Sequence, residues 1–267
     1  MSRDLVVKSL RDNRAGTIAW GLVLVASVAL QMAVYPTVRD AAAGFEQLLS
    51  SYPEAFKAMF DIQGTFADGA GYVRAEVFGL FAPLVVLGVA IGQASRCTAG
   101  EERAGTMDLL VANPVSRREV LLDKAFAVLV DLVVVAAALA AVLLAANALV
   151  GLDIPPVDLV VASLLSAVLA LPFGALALLV GALTGSRGLA VAAPVGAAVV
   201  TFLVQTLAEL ADWLRPWRVL SPFHHAGLGD AVSGNADALG ALVLLGTAGI
   251  LLALAVLAFE RRDLATR

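Results

Sequence analysis

The sequence predicts an all-α polytopic membrane protein, a single domain over residues 1–267 with six transmembrane helices. Three observations predict it. Hydrophobic residues make up 60% of the chain, well above the roughly 45–50% of soluble domains, and mean hydropathy is +0.90. Six apolar runs reach the roughly 18 residues that mark a helix able to cross hydrocarbon. The excess is Ala, Val and Leu, without the alternating polar and apolar segments of roughly ten residues that mark a membrane β-barrel.

The spans are read at residues 16–35, 76–96, 125–149, 159–184, 189–211 and 238–259. Pro36 follows the first, Pro155-Pro156 separates the third from the fourth, and the Gly185–Gly188 turn "GSRG" separates the fourth from the fifth. The amino-terminal segment "MSRDLVVKSLRDNRAG" places Val6, Val7 and Leu10 on one helical face and Asp4, Lys8, Arg11 and Asp12 on the other. It reads as a cytoplasmic helix on the membrane surface or as a basic flank that orients the first span. Residues 37–75 form the largest exterior loop, in which "PEAFKAMFDI" is a candidate surface helix. Trp213 and Trp217, in the last exterior loop, suit the headgroup belt.

Charge distribution orients the chain. Thirteen of the eighteen basic residues (Arg3, Lys8, Arg11, Arg14, Arg96, Arg103, Arg117, Arg118, Lys124, Arg187, Arg261, Arg262 and Arg267) fall on one side of this layout. The positive-inside rule places both termini in the cytoplasm and the chain in the cytoplasmic membrane, multi-pass. A cleaved signal peptide is the rival for the first span; its apolar core is longer than the usual 7–15 residues or so, and its removal would break the parity.

Several chemistries lack their residues. A phosphate-binding loop needs Gly-Lys-Ser/Thr, but the three lysines follow Val7, Phe56 and Asp123. The chain therefore binds no nucleotide cofactor of its own. Glu101-Glu102 does not extend to the Glu-Glu-x-x-x-Arg of an intramembrane protease family, since Thr106 stands at the last position. His224 and His225 are adjacent, which H-E-x-x-H metal ligation does not allow. Cys97 is the sole cysteine, which excludes an intrachain disulfide and a thiolate cluster. No catalytic residue and no metal site is assigned, and no nucleic-acid partner is expected.

Polar residues inside spans are candidate functional groups. Asp131 lies about two turns into the third span; Asn147, Gln205 and Glu209 lie near span ends. They face other helices or reach an interface; the functional alternative is that they line a substrate path. Two Gly pairs, Gly88/Gly92 and Gly181/Gly185, have the spacing of close helix packing.

The most informative stretch is "GEERAGTMDLLVANPVSRRE", residues 100–119, a polar interval between two apolar runs. Glu101, Glu102 and Arg103 are solvated. Gly105-Thr106 turns the chain, Thr106 is a candidate N-cap, and Asp108 suits the positive end of a new helix. Met107, Leu110 and Val111 share one face, and Asn113-Pro114 ends the helix after about two turns. Ser116-Arg117-Arg118-Glu119 is a capping box that restarts the chain as the third span. So short a helix needs a partner surface.

With its continuation "VLLDK", this stretch resembles the signature of ABC-2-type permeases, the membrane subunits of ATP-binding-cassette exporters. Glu101, Glu102, Gly105, Thr106, Asp108, Leu109, Leu110, Pro114, Val115, Ser116, Arg117, Leu121, Leu122 and Lys124 carry the resemblance. Met107 stands where the family often has Leu. The layout, the "LSPFHH" before the sixth span and the final "FERRDL" agree with it. The subgroup it is similar to is the stand-alone permeases that include drug and antibiotic efflux systems.

The resemblance implies that the stretch is a cytoplasmic coupling helix seated in a separate ATPase subunit. It implies two ATPase copies, which hold the ATP and Mg, and a second permease as homodimer or heterodimer in the bilayer. The implied function is export of a hydrophobic or amphipathic substrate (drug, antibiotic, lipid or similar) by alternating access, without enzymatic chemistry in this chain. The alternatives are a membrane assembly or regulatory protein that docks a cytosolic partner, and a secondary transporter.

Overall fold

The computed structural model describes residues 3–49, 68–97, 116–208 and 211–261. Six of its helices are long and apolar enough to cross a membrane, and the described residues contain no strand. The protein is an all-α polytopic membrane protein. The first helix, α1, runs from Arg3 to Leu49. The second span is a composite: α2 (Gly69–Val73), a π-helical stretch (Arg74–Phe81) and α3 (Ala82–Ser95). The remaining spans are α4 (Arg117–Val150), α5 (Pro156–Thr184), α6 (Arg187–Leu207) and α9 (Ala238–Arg261). Between α6 and α9 lie a 3₁₀ segment (Asp212–Leu220) and two short helices, α7 (Pro222–Ala226) and α8 (Leu228–Val232).

Boundaries differ from the sequence expectation at both ends of the first helix and at the start of the second span. The amino-terminal segment is not a separate surface helix: residues 3–49 form one unbroken helix. Asn13 and Thr17 are buried, so packing against the bundle holds this part of α1 in line with the span. Pro36 does not end the helix either. Inside lipid, an interrupted helix strands several backbone groups, whereas a proline forfeits one hydrogen bond; Pro172 and Pro194 are carried inside α5 and α6 in the same way. The exterior loop therefore loses residues 37–49 to α1 and residues 69–75 to the second span. The candidate surface helix "PEAFKAMFDI" lies outside the described residues.

The π-helical stretch has a local cause. Pro83 has no N–H to give to the carbonyl of Gly79, four residues back, and its ring crowds that carbonyl. The chain widens by one residue ahead of it, so that the Ala82 N–H bonds the Val77 carbonyl.

α5 is the centre of the bundle and packs against α3, α4, α6 and α9. Its buried face is rich in small residues, including Ala162, Ser163, Ser166, Ala170, Gly174 and Ala177. A Cβ at Gly174 would come within 3.4 Å of the Ala90 Cβ on α3. Lipid tails are as apolar as leucine, so close approach rather than water exclusion drives such contacts. The Ser163 and Ser166 hydroxyls are satisfied within the helix, by the carbonyls of Leu159 (2.7 Å) and Ser163 (2.6 Å). Of the two glycine pairs, Gly88 packs beneath Trp20, while Gly185 is the left-handed residue that ends α5.

Candidate functional site

At one end of the bundle the chain brackets the polar interval. Residues 98–115 lie outside the described residues, so Glu101, Glu102, Gly105, Thr106, Met107, Asp108, Leu110, Val111 and Pro114 are not placed. Both flanks are. Ser116 is the N-cap of α4: its hydroxyl accepts from the Glu119 N–H (3.2 Å), and the Glu119 carboxylate accepts from the Ser116 N–H (3.1 Å). Arg117 is the first residue of α4. On the other flank, Lys124 reaches back from α4 to donate to the Cys97 carbonyl at 2.7 Å, and both residues are buried. The two ends of the interval are thus tied across the bundle.

One helical turn or two deeper lies a buried polar cluster that draws α1, α3 and α4 together. Asn13 donates to Asp131 (3.3 Å) and approaches the Gln93 carbonyl oxygen (3.5 Å). Gln93 donates to the Thr17 hydroxyl (2.9 Å), which donates to the Asn13 backbone carbonyl (3.2 Å). All four side chains are buried. Asp131 therefore faces other helices. Asn13, Thr17 and Gln93 went unnoticed in the sequence, although Gln93 sits in "LVVLGVAIGQAS", where a lone amide carries the same signal that singled out Asp131.

The other predicted polar residues separate. Asn147 closes the turn between α4 and α5, donating to the Ile154 carbonyl (2.8 Å) and accepting from its N–H (3.2 Å). That is a structural clamp at the end of α4, beside the left-handed Gly151. Gln205 accepts from Arg218 Nε (3.4 Å) and faces a cavity. Glu209 lies outside the described residues.

Two cavities adjoin, the second of them at the opposite end. The first is an apolar groove of about 410 Å³ between the second span and α6, with Trp20 of α1 at its side and Leu84, Ile91, Val195 and Val199 along it. The second is a polar chamber of about 520 Å³ walled by Arg74, Gln205, Arg218, His225, Asp230 and Asp237 among others. Pro83, Phe202 and Phe223 line both. Phe202 and Phe223 meet edge to face at 5.4 Å, where groove becomes chamber. Trp213 and Trp217, near the chamber, are exposed, as residues of a headgroup belt would be.

In the chamber Arg74 pairs with Asp230 (3.7 Å), and the Asp237 carboxylate accepts from the Leu239 N–H (2.9 Å) at the start of α9. His225 Nε2 lies 2.7 Å from the Val219 carbonyl, so that nitrogen carries the proton and donates. Partial burial, with the Arg218 guanidinium and the second imidazole nearby, holds His224 below the usual histidine range.

No curated protein matches the chain. A family model described as ABC-2 family transporter protein matches residues 5–264, nearly the whole length. The six apolar spans, the capped return at Ser116 and this match agree, and the chain belongs to the ABC-2 family of transporter proteins.

Proposed function

We propose that the chain is the permease subunit of an ATP-driven exporter, with both termini and residues 100–119 in the cytoplasm and its ATPase on separate subunits. Two permeases and two ATPases form the working unit. The short helix expected at residues 106–113 is the lever: Met107, Leu110 and Val111 seat in the ATPase, and charged flanks at Glu101, Glu102 and Asp108 set its register. The observation that supports this best is the double tie at the base of the interval, Ser116–Glu119 and Lys124–Cys97. A lever transmits force only if its base is stiff. These bonds join the interval to α3 and α4, and the polar cluster extends the connection to α1.

The substrate path follows the groove between the second span and α6, and the substrate is hydrophobic or amphipathic. Asp131 and Asn147 are structural in this scheme; Gln205 stands at the path's polar end.

Co-purification tests the coupling. The chain expressed with its cognate ABC ATPase should retain it through affinity capture, and the double substitution Leu110→Asp, Val111→Asp should abolish both capture and ATP-dependent transport. Retention of both in that variant overturns the coupling assignment.

A further inference from the structure

The chamber and the groove share a wall but differ in chemistry. The groove is apolar and flanks a length of helix from Pro83 to Ile91, about 12 Å at roughly 1.5 Å per residue. The chamber holds two guanidinium groups, Arg74 and Arg218, and two carboxylates, Asp230 and Asp237. The carboxylates are each engaged: Asp230 by Arg74, Asp237 by the Leu239 N–H of α9. Arg218 instead donates to a neutral amide, Gln205, through a long hydrogen bond of 3.4 Å. A planar guanidinium on a polar wall, whose side-chain partner among the described residues is a neutral amide at 3.4 Å, is suited to take an oxyanion, which it binds with two parallel N–H donors.

Resting on the exporter reading, we infer that the pair of cavities is one binding site for an amphiphile that carries a phosphate or carboxylate head and enters from the bilayer. The head sits on Arg218 in the chamber, with the imidazole of His225 and the amide of Gln205 around it. The chain passes Phe202 and Phe223 and lies in the groove against Trp20. A bare anion has no use for the groove, and a cationic amphiphile would meet the wrong charge at Arg218. Arg74 is a positioning residue: its pairing with Asp230 withdraws a carboxylate that would otherwise repel the head.

Trp20 supplies the readout. The chain has three tryptophans, and Trp213→Phe with Trp217→Phe leaves Trp20 alone. The full-length protein in phosphatidylcholine nanodiscs is titrated with dodecyl phosphate brominated at the tail end, a matched brominated dodecyltrimethylammonium, and inorganic phosphate as competitor. The phosphate amphiphile should quench Trp20 saturably, and Arg218→Gln should weaken the apparent affinity by about tenfold. Arg218→Lys should keep an intermediate affinity, and Arg215→Gln, on the same 3₁₀ segment but outside the chamber lining, should match the parent.

Equal quenching by the cationic and anionic amphiphiles, or an Arg218→Gln titration identical to the parent, overturns the site. Displacement by inorganic phosphate at the concentration of the amphiphile overturns the amphiphile in favour of a free anion. Should Arg218→Gln fail to fold, the comparison of head charges on the parent and the Arg218→Lys titration still decide. No ATPase takes part in this titration. Its failure leaves the ATPase capture experiment standing, and loss of capture with quenching intact overturns only the exporter reading.

Discussion

The Lys124 ammonium donates to the backbone carbonyl of Cys97 at 2.7 Å, across the mouth of the interval that joins the second span to the third. Cys97 lies two residues beyond α3, at the edge of the described residues. The lysine brings a charged donor to that buried carbonyl. Lys124→Met keeps the length and removes the donor. It should cost roughly 2 kcal/mol, since a buried acceptor loses a charged partner, and lower the thermal midpoint in detergent by about 4–8 °C. On the proposed coupling role of the interval, which requires a stiff base, the same variant should keep ATPase capture yet lose ATP-dependent transport. Parent-like stability and transport together would show the bond to be incidental.

The buried cluster makes a sharper prediction about Asp131. Its oxygen accepts from Asn13, and the amide oxygen of Asp131→Asn can accept in the same place. Asp131→Asn should therefore leave the thermal midpoint nearly unchanged. Asp131→Leu leaves the Asn13 amide short of an acceptor and should cost about 1–2 kcal/mol. A double-mutant cycle of Asp131→Leu with Asn13→Ala should return a coupling of about 0.6 kcal/mol, the usual scale for interhelical hydrogen bonds in membranes. A coupling of zero would mean that the two side chains are neighbours without a bond.

How far the sequence spoke depended on the range of the interaction concerned. The start of α4 was legible because Ser116 and Glu119 are three residues apart and complete their capping box alone. The start of α5 was legible for the same reason, with Pro156 at the first helical position. The end of α1 was not. Pro36 is a stop signal in water, and only the surrounding lipid and bundle carry the helix through it. The cluster of Asn13, Thr17, Gln93 and Asp131 joins residues up to 118 positions apart, so no local pattern marks it; each polar residue could be flagged, but not its partners. Gln205 stands out in the sequence as an amide inside a span, whereas Arg74 and Arg218 read only as two of the five basic residues outside the cytoplasmic set. Their meeting in one chamber depends on the folding of the α6–α9 connection against the second span. The resemblance to ABC-2 permeases, carried by residues 100–124, agrees with the family match over residues 5–264.

The chamber should be sensitive to acid through His224. Its folded-state value is lowered, by partial burial first and then by Arg218 and His225. The unfolded chain therefore takes up a proton at a higher pH than the folded one. Stability contributed by the neutral imidazole is full above the unfolded value of about 6.5 and declines as pH falls through it, levelling off below the folded value. The thermal midpoint should drop between about pH 7 and pH 5.5, and His224→Gln should flatten that slope by removing the titrating group. An unaltered slope in the variant would assign the acid sensitivity to another residue.

Gly229 tests how tightly the chamber wall is built. It lies in α8 beneath the Arg74 side chain, and a Cβ there would stand 2.5 Å from Arg74 Nε and 2.8 Å from its Cγ. Gly229→Ala must push Arg74 aside and with it the pairing to Asp230. That pair is more than half exposed and contributes little by itself, so the cost should come from crowding, about 1 kcal/mol, the low end for overpacking because the neighbour is a flexible side chain. Arg74→Ala removes the obstacle. The double variant Gly229→Ala, Arg74→Ala should therefore be more stable than Gly229→Ala alone, a reversal of sign that independent sites do not give. Thermal midpoints of the four proteins measure it. If the two effects simply add, α8 does not rest on Arg74, and the wall of the chamber is looser than the close approach of Gly229 implies.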